Sequence, residues 1–516
     1  MPYLDLVAKD DYASIWYRTN SQCQNVGGFD PAKPTIVMLH PLHVDSEWLY
    51  PQLDDPRLND RYNIIAFDTR ITGKSFHRFS GRYDLWVAAA DIAHAFYHLR
   101  LPPAHVFASE VWAYVALRFA ALFPDLCLSL TLCNVSAPTE PKAVFDGFEE
   151  LTRLWCYAED LETFEYACGL HLSYNASQDV HPDFADEIVA YFQMNFPPFK
   201  RTALITVAQV VLNRTPMTLS ELAAVKCPVL ICQAHENPLF PAVFAHKLAE
   251  DLKGVPGGAV LYDVKAAIGF VTIFNASIIN KVFSAFLARQ PTTSSELKEP
   301  PRSLPDMMQA ALSRLAKFES DPSVAKRDPR SPLSFSRVTD EVFKSQVDTF
   351  KAFEKGQRKA FSPLSSNGRP IRKYSERKDD WMQINSDGFS YTSPSVRKES
   401  KVVDSKSGKE HKKEKGKDKD WLAKLVDPRS KDKSSKLSPP LDQPLPPPPP
   451  STTTVALEEV DIPLTDPVSS SEQAMARERR MVVGPNCTVV EQQVLKGSMT
   501  KVIATSHGSS GVRKFL

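Results

Sequence analysis

Several features that assign proteins to broad classes are missing from this chain of 516 residues. Its formal net charge is only +1, so the chain as a whole is not a polyelectrolyte and nucleic acid is not an expected partner. Its eight cysteines show neither the spacing of metal ligands nor the paired framework of secreted proteins. We therefore expect reduced thiols, no bound metal and no other cofactor.

The sequence also lacks targeting and membrane-spanning segments. Residues 1–5 do not contain the basic stretch and following apolar stretch of a secretory signal peptide. No apolar run is long enough to cross a bilayer as a helix. These absences predict a cytoplasmic protein without a membrane span, with a nuclear location as the alternative.

Apolar runs and helical patterns alternate through the first 290 residues. Short apolar runs, typical of buried strands, occur at residues 35–39, 62–67, 105–109, 128–134, 227–232 and 259–264. Helical spacing is evident between them, for example over residues 83–99 and 277–287. Buried strands separated by helices predict an α/β fold, with a mainly parallel sheet and helices on both faces.

The strand at residues 105–109 runs directly into a helix, and this junction resembles the nucleophile elbow of α/β-hydrolases. That elbow is a strained G-x-S-x-G turn, which exposes a serine above the sheet. The helix that follows ends before Pro124, and counting back from it places Glu110 at the serine position. Ala108 and Trp112 then occupy the two small positions. A register shifted by one residue would instead make Ser109 the nucleophile.

Further motifs extend the resemblance over residues 30–290. Leu39 and His40 are similar to the family's L-H-G sequence before the oxyanion loop, and residues 66–75, AFDTRITGKS, resemble its D-x-R-G-x-G-x-S loop. Residues 46–48, SEW, are similar to the epoxide-hydrolase and haloperoxidase-like branches. Together these motifs imply the α/β-hydrolase fold, whereas they say much less about activity.

Residues 139–220 interrupt the alternation and lie where α/β-hydrolases carry a lid. The segment has helical patterns and many aromatic residues, so we expect a helical cap. These aromatics form either the cap's own core or the wall of an apolar ligand pocket beneath it. They are Phe145, Phe148, Trp155, Tyr157, Phe164, Tyr166, Phe184, Tyr191, Phe192, Phe196 and Phe199.

The resemblance implies a catalytic triad whose three positions are altered. Asn237 occupies the acid position after the strand at residues 227–232, and the histidine position falls on Ile268 or Gly269. Pro41 replaces the oxyanion-loop glycine and removes one backbone donor. A serine hydrolase needs a nucleophile, an imidazole base, an orienting carboxylate and oxyanion donors. We therefore expect a degenerate triad.

Glu110 has two readings. Epoxide hydrolases and haloalkane dehalogenases use a carboxylate at the elbow, so Glu110 could be a nucleophile if His235, His40 or His43 supplied the missing base. Alternatively, the carboxylate accepts hydrogen bonds from the free amides at the helix N-terminus, or contacts a ligand. The candidate ligand contacts are His40, Trp112, Trp155 and Ile268.

The sequence thus supports two functions. The first is a degenerate α/β-hydrolase-fold protein that binds a small apolar ligand or a protein partner. The alternative is an active hydrolase of the ester or epoxide class with a rearranged site. Generic ester and epoxide substrates, tested against an alanine variant at Glu110, separate the two.

The composition changes beyond residue 290, where Lys, Asp, Ser and Pro become abundant. We divide the chain into a hydrolase-like domain (1–290, cap about 139–220), a partly ordered arm (291–394) and a disordered, basic and Pro-rich tail (395–516). Residues 304–318 have helical spacing. Apolar side chains from there to Phe361 are numerous enough for the arm to pack across the core domain.

Two segments of the tail suggest partners. Residues 401–436 carry 13 Lys or Arg against 7 Asp or Glu, which fits a solvated tail or a contact with an acidic membrane, RNA or a nuclear-import receptor. Residues 444–450, PLPPPPP, predict polyproline II helix, either a ligand for an aromatic groove or a passive spacer.

Overall fold

A computed structural model describes residues 2–176, 180–237, 239–266 and 269–377. Ile268, the tail at residues 395–516 and the proline-rich run within it lie outside the described residues. The predictions for these segments therefore stay predictions.

The centre of the fold is a mixed sheet with the order β1-β2-β4-β3-β6-β7-β8-β9, and β5 pairs with β2. Every pairing from β4 to β9 along this order is parallel, whereas β1, β2 and β5 make antiparallel pairings. The strands are β1 (Tyr3–Val7), β2 (Tyr12–Thr19), β3 (Thr35–Leu39), β4 (Asn63–Phe67), β5 (Phe76–His77), β6 (Ala104–Ser109), β7 (Cys127–Cys133), β8 (Val229–Ala234) and β9 (Val260–Val264).

Helices cover both faces of this sheet, which confirms the predicted fold class. They are α1 (Tyr50–Leu53), α2 (Pro56–Asn59), α3 (Leu85–His98), α4 (Ala113–Leu122), α5 (Lys142–Cys156), α6 (Leu161–Asn175), α7 (Pro182–Asn195), α8 (Arg201–Leu212), α9 (Leu219–Leu222), α10 (Ala242–Asp251), α11 (Val271–Phe274), α12 (Ala276–Leu287), α13 (Leu304–Glu319) and α14 (Asp340–Glu354).

Alternate side chains of the central strands enter two separate cores. Val106 of β6 packs in the cluster that contains α3 and α4, whereas Phe107 packs in the cluster formed with α1, α2 and α12. All residues of β3, β4, β6 and β8 are buried. Burial on both faces explains why these strands read as continuous apolar runs rather than as alternating patterns.

Helices α5–α8 lie between β7 and β8 in the chain and form a cap over the carboxyl ends of the strands. Phe164, Phe184 and Phe192 are fully buried in it. Trp48, from the main domain, contacts the Phe184 ring at a centroid distance of 5.7 Å. Many cap aromatics thus pack against one another and against the main domain, as the core reading expects.

The chain after α12 contacts both the main domain and the cap. Met308, Leu312 and Leu315 of α13 are buried in the same core as α3 and α4, and Arg314 donates to the Leu122 carbonyl at 2.7 Å. Residues 340–377, hereafter the strap, contact both the cap and the main-domain loop at residues 79–82, where the Phe79 and Phe350 rings stack with centroids 3.8 Å apart. Gln209 of α8 donates to the Gln346 carbonyl of α14 at 2.9 Å.

Two simpler expectations concern cysteines and membranes. The seven cysteines of the described residues are free thiols, and those of β7 and β8 are buried. In the part of the chain that the structure describes, no helix combines the length and the hydropathy that a bilayer span requires.

Candidate functional site

The turn after β6 is strained at Glu110. This residue has φ +57°, in the left-handed region, while Ser109 is extended with φ −115° and ψ 142°. A left-handed backbone costs a non-glycine residue about 1–2 kcal/mol. The strained position of the elbow is therefore Glu110 rather than Ser109, and β6 ends directly before it.

The residues around Glu110 make room for this turn in different ways. Ala108 is small and pairs with Leu39 of β3 and Leu132 of β7. Trp112 is fully buried, and its ring centroid lies 6.0 Å from that of His40. The bulky residue at a normally small position is thus packed into the core beside the elbow.

The carboxyl group of Glu110 is hydrogen-bonded to the loop that the family resemblance predicts as the oxyanion loop. Its Oε2 accepts a hydrogen bond of 2.7 Å from the backbone N–H of Leu42, on the loop after β3. This partner lies on another loop, so the expected bond to the amides of its own helix is not the one observed. The backbone N–H that follows His40 and Pro41 is therefore already bound by the protein's own side chain.

Burial makes Glu110 a weak acid. The side chain is 1% exposed, and desolvation raises its pKa to about 8, against the smaller opposing effect of the Leu42 hydrogen bond. At neutral pH the group is therefore mostly a neutral carboxylic acid. Its second oxygen, Oε1, has no hydrogen-bond partner among the described residues.

A cavity of about 70 Å³ lies between Glu110 and the cap. Its apolar wall includes Val144, Phe148 and Leu151 of α5. The polar side chains that line it are His43, Glu110, Ser136, Glu140, His171 and Asn175. Of the cap aromatics, Phe148 therefore fits the alternative in which an aromatic residue lines a pocket.

Two neutral imidazoles face each other at this cavity. The His43 ring stacks on Phe148 at 5.6 Å and meets the edge of His171 at 4.6 Å. Burial and the neighbouring His171 hold the pKa of His43 well below its usual range, and burial lowers the pKa of His171 to about 4. His171 accepts from the Asn175 amide through Nε2 at 3.2 Å. Neither ring carries a charge at neutral pH.

Asn237, at the predicted acid position, is hydrogen-bonded within its own loop. Asn237 is buried, and its Oδ1 accepts from the backbone N–H groups of Leu239 and Phe240 at 2.9 and 3.1 Å. Gln233 holds the same loop by donating to the Phe240 carbonyl at 2.6 Å. An amide cannot ionise as the triad acid does, and this one supports the loop from which Leu239 and Phe240 line the cavity.

Of the two residues predicted for the histidine position, Ile268 lies outside the described residues and Gly269 is closed in by the cap. A Cβ atom added to Gly269 would overlap the Asn175 carbonyl oxygen at the end of α6. The following residue, Phe270, donates its backbone N–H to that carbonyl at 2.8 Å, and Asn134 donates to the Gly269 carbonyl. A histidine side chain at residue 269 would therefore displace α6.

The other histidines proposed as bases are differently placed. His235 is exposed at the surface. His40 donates through Nδ1 to the Pro41 carbonyl at 2.7 Å and accepts at Nε2 from the Thr72 hydroxyl at 2.9 Å. Burial lowers its pKa to about 4. Both nitrogens of His40 are thus used to hold the loops around the site.

Three predicted ligand contacts do not line the cavity. His40 and Trp112 lie behind it, in the packing beneath the elbow, and Trp155 donates its indole N–H to the Phe196 carbonyl at 2.8 Å within the cap. His171 and Asn175, which line the cavity from α6, were not among the residues predicted from the sequence. No motif marks these two residues, because their role depends on where the cap helix lies.

The loop after β4 supports the site from the side. Asp68 accepts from the backbone N–H groups of Ser46 and Lys74 at 2.8 and 2.7 Å. Gly73 has φ +58°, and a Cβ atom there would overlap the Asp68 carboxylate. Glycine is therefore required at this position of the family-like loop.

Comparisons with known proteins find similarity both in sequence and in structure. No protein-family model matches the chain. RutD of Caulobacter sp. (strain K31), described as a candidate carbamate hydrolase, is 23% identical over 264 residues, covering 49% of this chain and 92% of its own.

Solved structures similar to this chain include an esterase from Thermogutta terrifontis, with 14% identity, a TM-score of 0.45 and coverage of 56% and 99% of the two chains. The enol-lactonase from Burkholderia xenovorans LB400 has 17% identity, a TM-score of 0.41 and coverage of 56% and 100%. The sheet order, the strained turn after β6 and the similarity to RutD place this chain in the α/β-hydrolase fold superfamily.

Proposed function

We propose that this protein binds a small ligand beneath its cap and does not hydrolyse it. The observation that carries this proposal is the hydrogen bond from the Leu42 N–H to the Glu110 carboxyl group. In an acyl-transfer enzyme that position holds the developing oxyanion, and its donors must be free to stabilise the transition state. Here the donor is already bound to a buried side chain.

The remaining positions support the same conclusion. Serine-type hydrolysis needs an imidazole beside the nucleophile and a carboxylate behind the imidazole. The predicted histidine position holds Ile268 or Gly269, neither of which is a base, and Gly269 is packed against Asn175. The predicted acid position holds Asn237, which is bound to its own loop. A protonated carboxylic acid is also a poor nucleophile, because its lone pairs are less available than those of the anion.

The cavity favours a ligand over an empty core. It combines an apolar wall with a few buried polar groups, as small-molecule sites do. Cores without ligands rarely leave several polar atoms unpaired in one place. A protein partner, the other occupant considered from the sequence, stays a prediction.

Turnover of a simple ester and an epoxide tests the proposal. We expect the native protein to hydrolyse p-nitrophenyl acetate and styrene oxide no faster than its Glu110→Ala variant, and to resist labelling by fluorophosphonate probes. Ser109→Ala is the matched control for the neighbouring elbow residue. Turnover that Glu110→Ala abolishes would contradict the proposal, and labelling of Ser109 would show that the reactive position is one residue earlier.

One observation favours the alternative of an active hydrolase. His43 lines the same cavity as Glu110, and neither of its ring nitrogens has a hydrogen-bond partner among the described residues. An imidazole in that place could activate water against a glutamyl ester. Mass spectrometry of the protein after incubation with styrene oxide distinguishes the two functions, because a nucleophilic Glu110 forms a covalent adduct and a ligand-binding Glu110 does not.

A further inference from the structure

Unpaired polar atoms are concentrated at the cavity beneath the cap. Glu110 Oε1, both ring nitrogens of His43 and Ser136 Oγ have no hydrogen-bond partner among the described residues. All three residues line the cavity, and they are only 1%, 3% and 6% exposed. Buried polar groups without partners are destabilising, so several of them around one space indicate that a polar ligand completes the site.

The charges around the cavity define which ligand this is. Neither Lys nor Arg is among the described lining residues. Glu140 is ion-paired with Arg214 at 2.8 Å, and Arg214 also donates to the Val211 and Ala137 carbonyls. A ligand carboxylate would therefore find no free cation, and a ligand ammonium would find no free carboxylate except the buried, largely protonated Glu110.

The hydrogen-bonding capacity of the site further limits which neutral ligand can bind in the cavity. Because Glu110 Oε2 accepts from the Leu42 N–H, the proton of the neutral acid lies on Oε1, which is then a donor toward the cavity. A neutral His43 offers one N–H donor and one bare nitrogen acceptor. The ligand thus needs an acceptor for Glu110 and a donor for His43.

We propose that the cavity binds a small neutral amide, whose carbonyl oxygen accepts from Glu110 Oε1–H and whose N–H donates to His43. This assignment rests on the ligand-binding function proposed above and specifies its chemistry. The Ser136 hydroxyl, which can donate or accept, is available to either end of the amide.

The size of the cavity limits the ligand. It measures about 70 Å³, whereas an engineered cavity of about 150 Å³ accommodates benzene, with its six ring carbons. With the cap in the described position, the cavity therefore fits an amide of the size of acetamide. Larger amides would require α5 or α6 to move outward.

Four small probes of similar size and different charge or polarity test the proposal on the full chain. They are acetamide, acetate, ethylammonium and isobutene, with binding followed by saturation-transfer NMR at pH 6.5. We expect acetamide to bind and the other three to bind at least tenfold more weakly. Glu110→Gln keeps an acceptor for Leu42 and a donor for the ligand, so it retains binding, whereas Glu110→Ala and His43→Phe lose it.

The pH dependence of acetamide binding distinguishes a direct contact between Glu110 and the ligand from a merely structural role of Glu110. Between pH 6.5 and 9.5 His43 and His171 stay neutral, and burial keeps the Cys133 thiol protonated. The Glu140 carboxylate is ion-paired with Arg214. With the pKa of Glu110 at about 8, only a few per cent of it is protonated at pH 9.5, so acetamide binding weakens about 30-fold. In Glu110→Gln the affinity is expected to be the same at both pH values.

The outcomes distinguish this inference from the function on which it rests. Binding of acetate or isobutene as tight as that of acetamide, or no binding by any probe, overturns the amide assignment. An affinity of Glu110→Gln that falls with pH as in the native protein overturns the role of Glu110. The ligand-binding function fails separately, if Glu110-dependent hydrolysis of p-nitrophenyl acetate is found.

Discussion

Both the backbone and the side chain of Glu110 are in unusual environments for a glutamate. The backbone is left-handed, and the carboxyl group is buried with a single hydrogen bond to Leu42. The position could be found from the sequence, because the helix that follows fixes the register of the turn. The hydrogen bond to Leu42 could not be predicted, because Leu42 lies 68 residues earlier and reaches Glu110 only through the path of the loop after β3.

Rising pH should destabilise the native protein relative to Glu110→Gln. The pKa of Glu110 is about 8 in the folded state against a usual value of 4.5, so in this interval the unfolded chain releases a proton that the folded chain keeps. The stability associated with this group is full below pH 4.5 and is lost as the pH rises through 8. The loss is on the order of 3–5 kcal/mol, whereas glutamine does not ionise.

Urea unfolding of both proteins at pH 5 and pH 9 measures this difference. We expect the stability of Glu110→Gln relative to the native protein to increase with pH. A difference between the two proteins that is the same at both pH values would show that Glu110 ionises normally.

At the scale of elements, α6 connects the cavity with the rest of the cap. His171 and Asn175 line the cavity from its last turns, while Asn175 also closes the space beside Gly269. A cap of helices could be predicted from the aromatic segment before β8. The contact between α6 and the loop after β9 could not, because no local pattern records which cap helix meets which loop.

Substitution of Gly269 tests this contact. Gly269→Ala should destabilise the protein by about 1–3 kcal/mol, because the new Cβ overlaps the Asn175 backbone, which cannot rotate away as a side chain can. Gly269→His should cost more, since it adds a ring at the same place. Thermal unfolding of the two variants gives the order, and a histidine variant as stable as the native protein would show that the space is open.

The other side of α6 is held by the strap through a partly buried ion pair. Arg372 contacts Glu165 at 2.5 Å, where the Glu165 side chain is 2% exposed and that of Arg372 is 22% exposed. Burial raises the pKa of Glu165, and Arg372 opposes this rise. Ser375 donates its backbone N–H to Asp186 of α7 at 2.6 Å, close to the same place.

Removing one partner of this ion pair should destabilise the protein more than removing both. Arg372→Gln leaves a buried carboxylate without its cation, so we expect a loss of about 1–3 kcal/mol, reduced from that of a fully buried pair because Arg372 is partly exposed. Adding Glu165→Gln should restore part of the stability. Urea unfolding of the two single variants and the double variant gives the coupling energy, and strictly additive effects would contradict it.

At the scale of the whole molecule, the α/β class follows from features that the sequence displays. Continuous apolar strands indicate burial on both faces, and the motifs after β3, β4 and β6 resemble those of the α/β-hydrolase fold. The path of the strap does not follow from them. The apolar side chains between residues 304 and 361 indicate that the segment packs on the rest of the fold. They do not indicate that α13 lies on the core, or that the strap contacts both the cap and the loop at residues 79–82.

The chain beyond residue 290 should divide into a part that stabilises the fold and a part that does not. A chain ending at residue 295 lacks α13, whose Met308, Leu312 and Leu315 are fully buried in the main core. Burying each such side chain contributes about 1.5–3 kcal/mol, so their loss exposes apolar surface on α3 and α4. At about 2–4 °C for each kcal/mol, we expect its melting temperature to fall by about 10 °C or more.

A chain ending at residue 395 is the matched control, because it retains α13 and the strap and lacks only the tail. The tail is rich in Lys, Ser, Asp and Pro, so it cannot bury enough apolar surface to offset an ordering cost of about 1–2 kcal/mol per residue. The chain ending at residue 395 should therefore melt within about 2 °C of the full chain, and should bind no more of a hydrophobic dye than the full chain does. Equal melting temperatures for the chains ending at 295 and 395 would show that α13 and the strap add nothing to stability, and that the apolar face of α3 and α4 is stable in water without them.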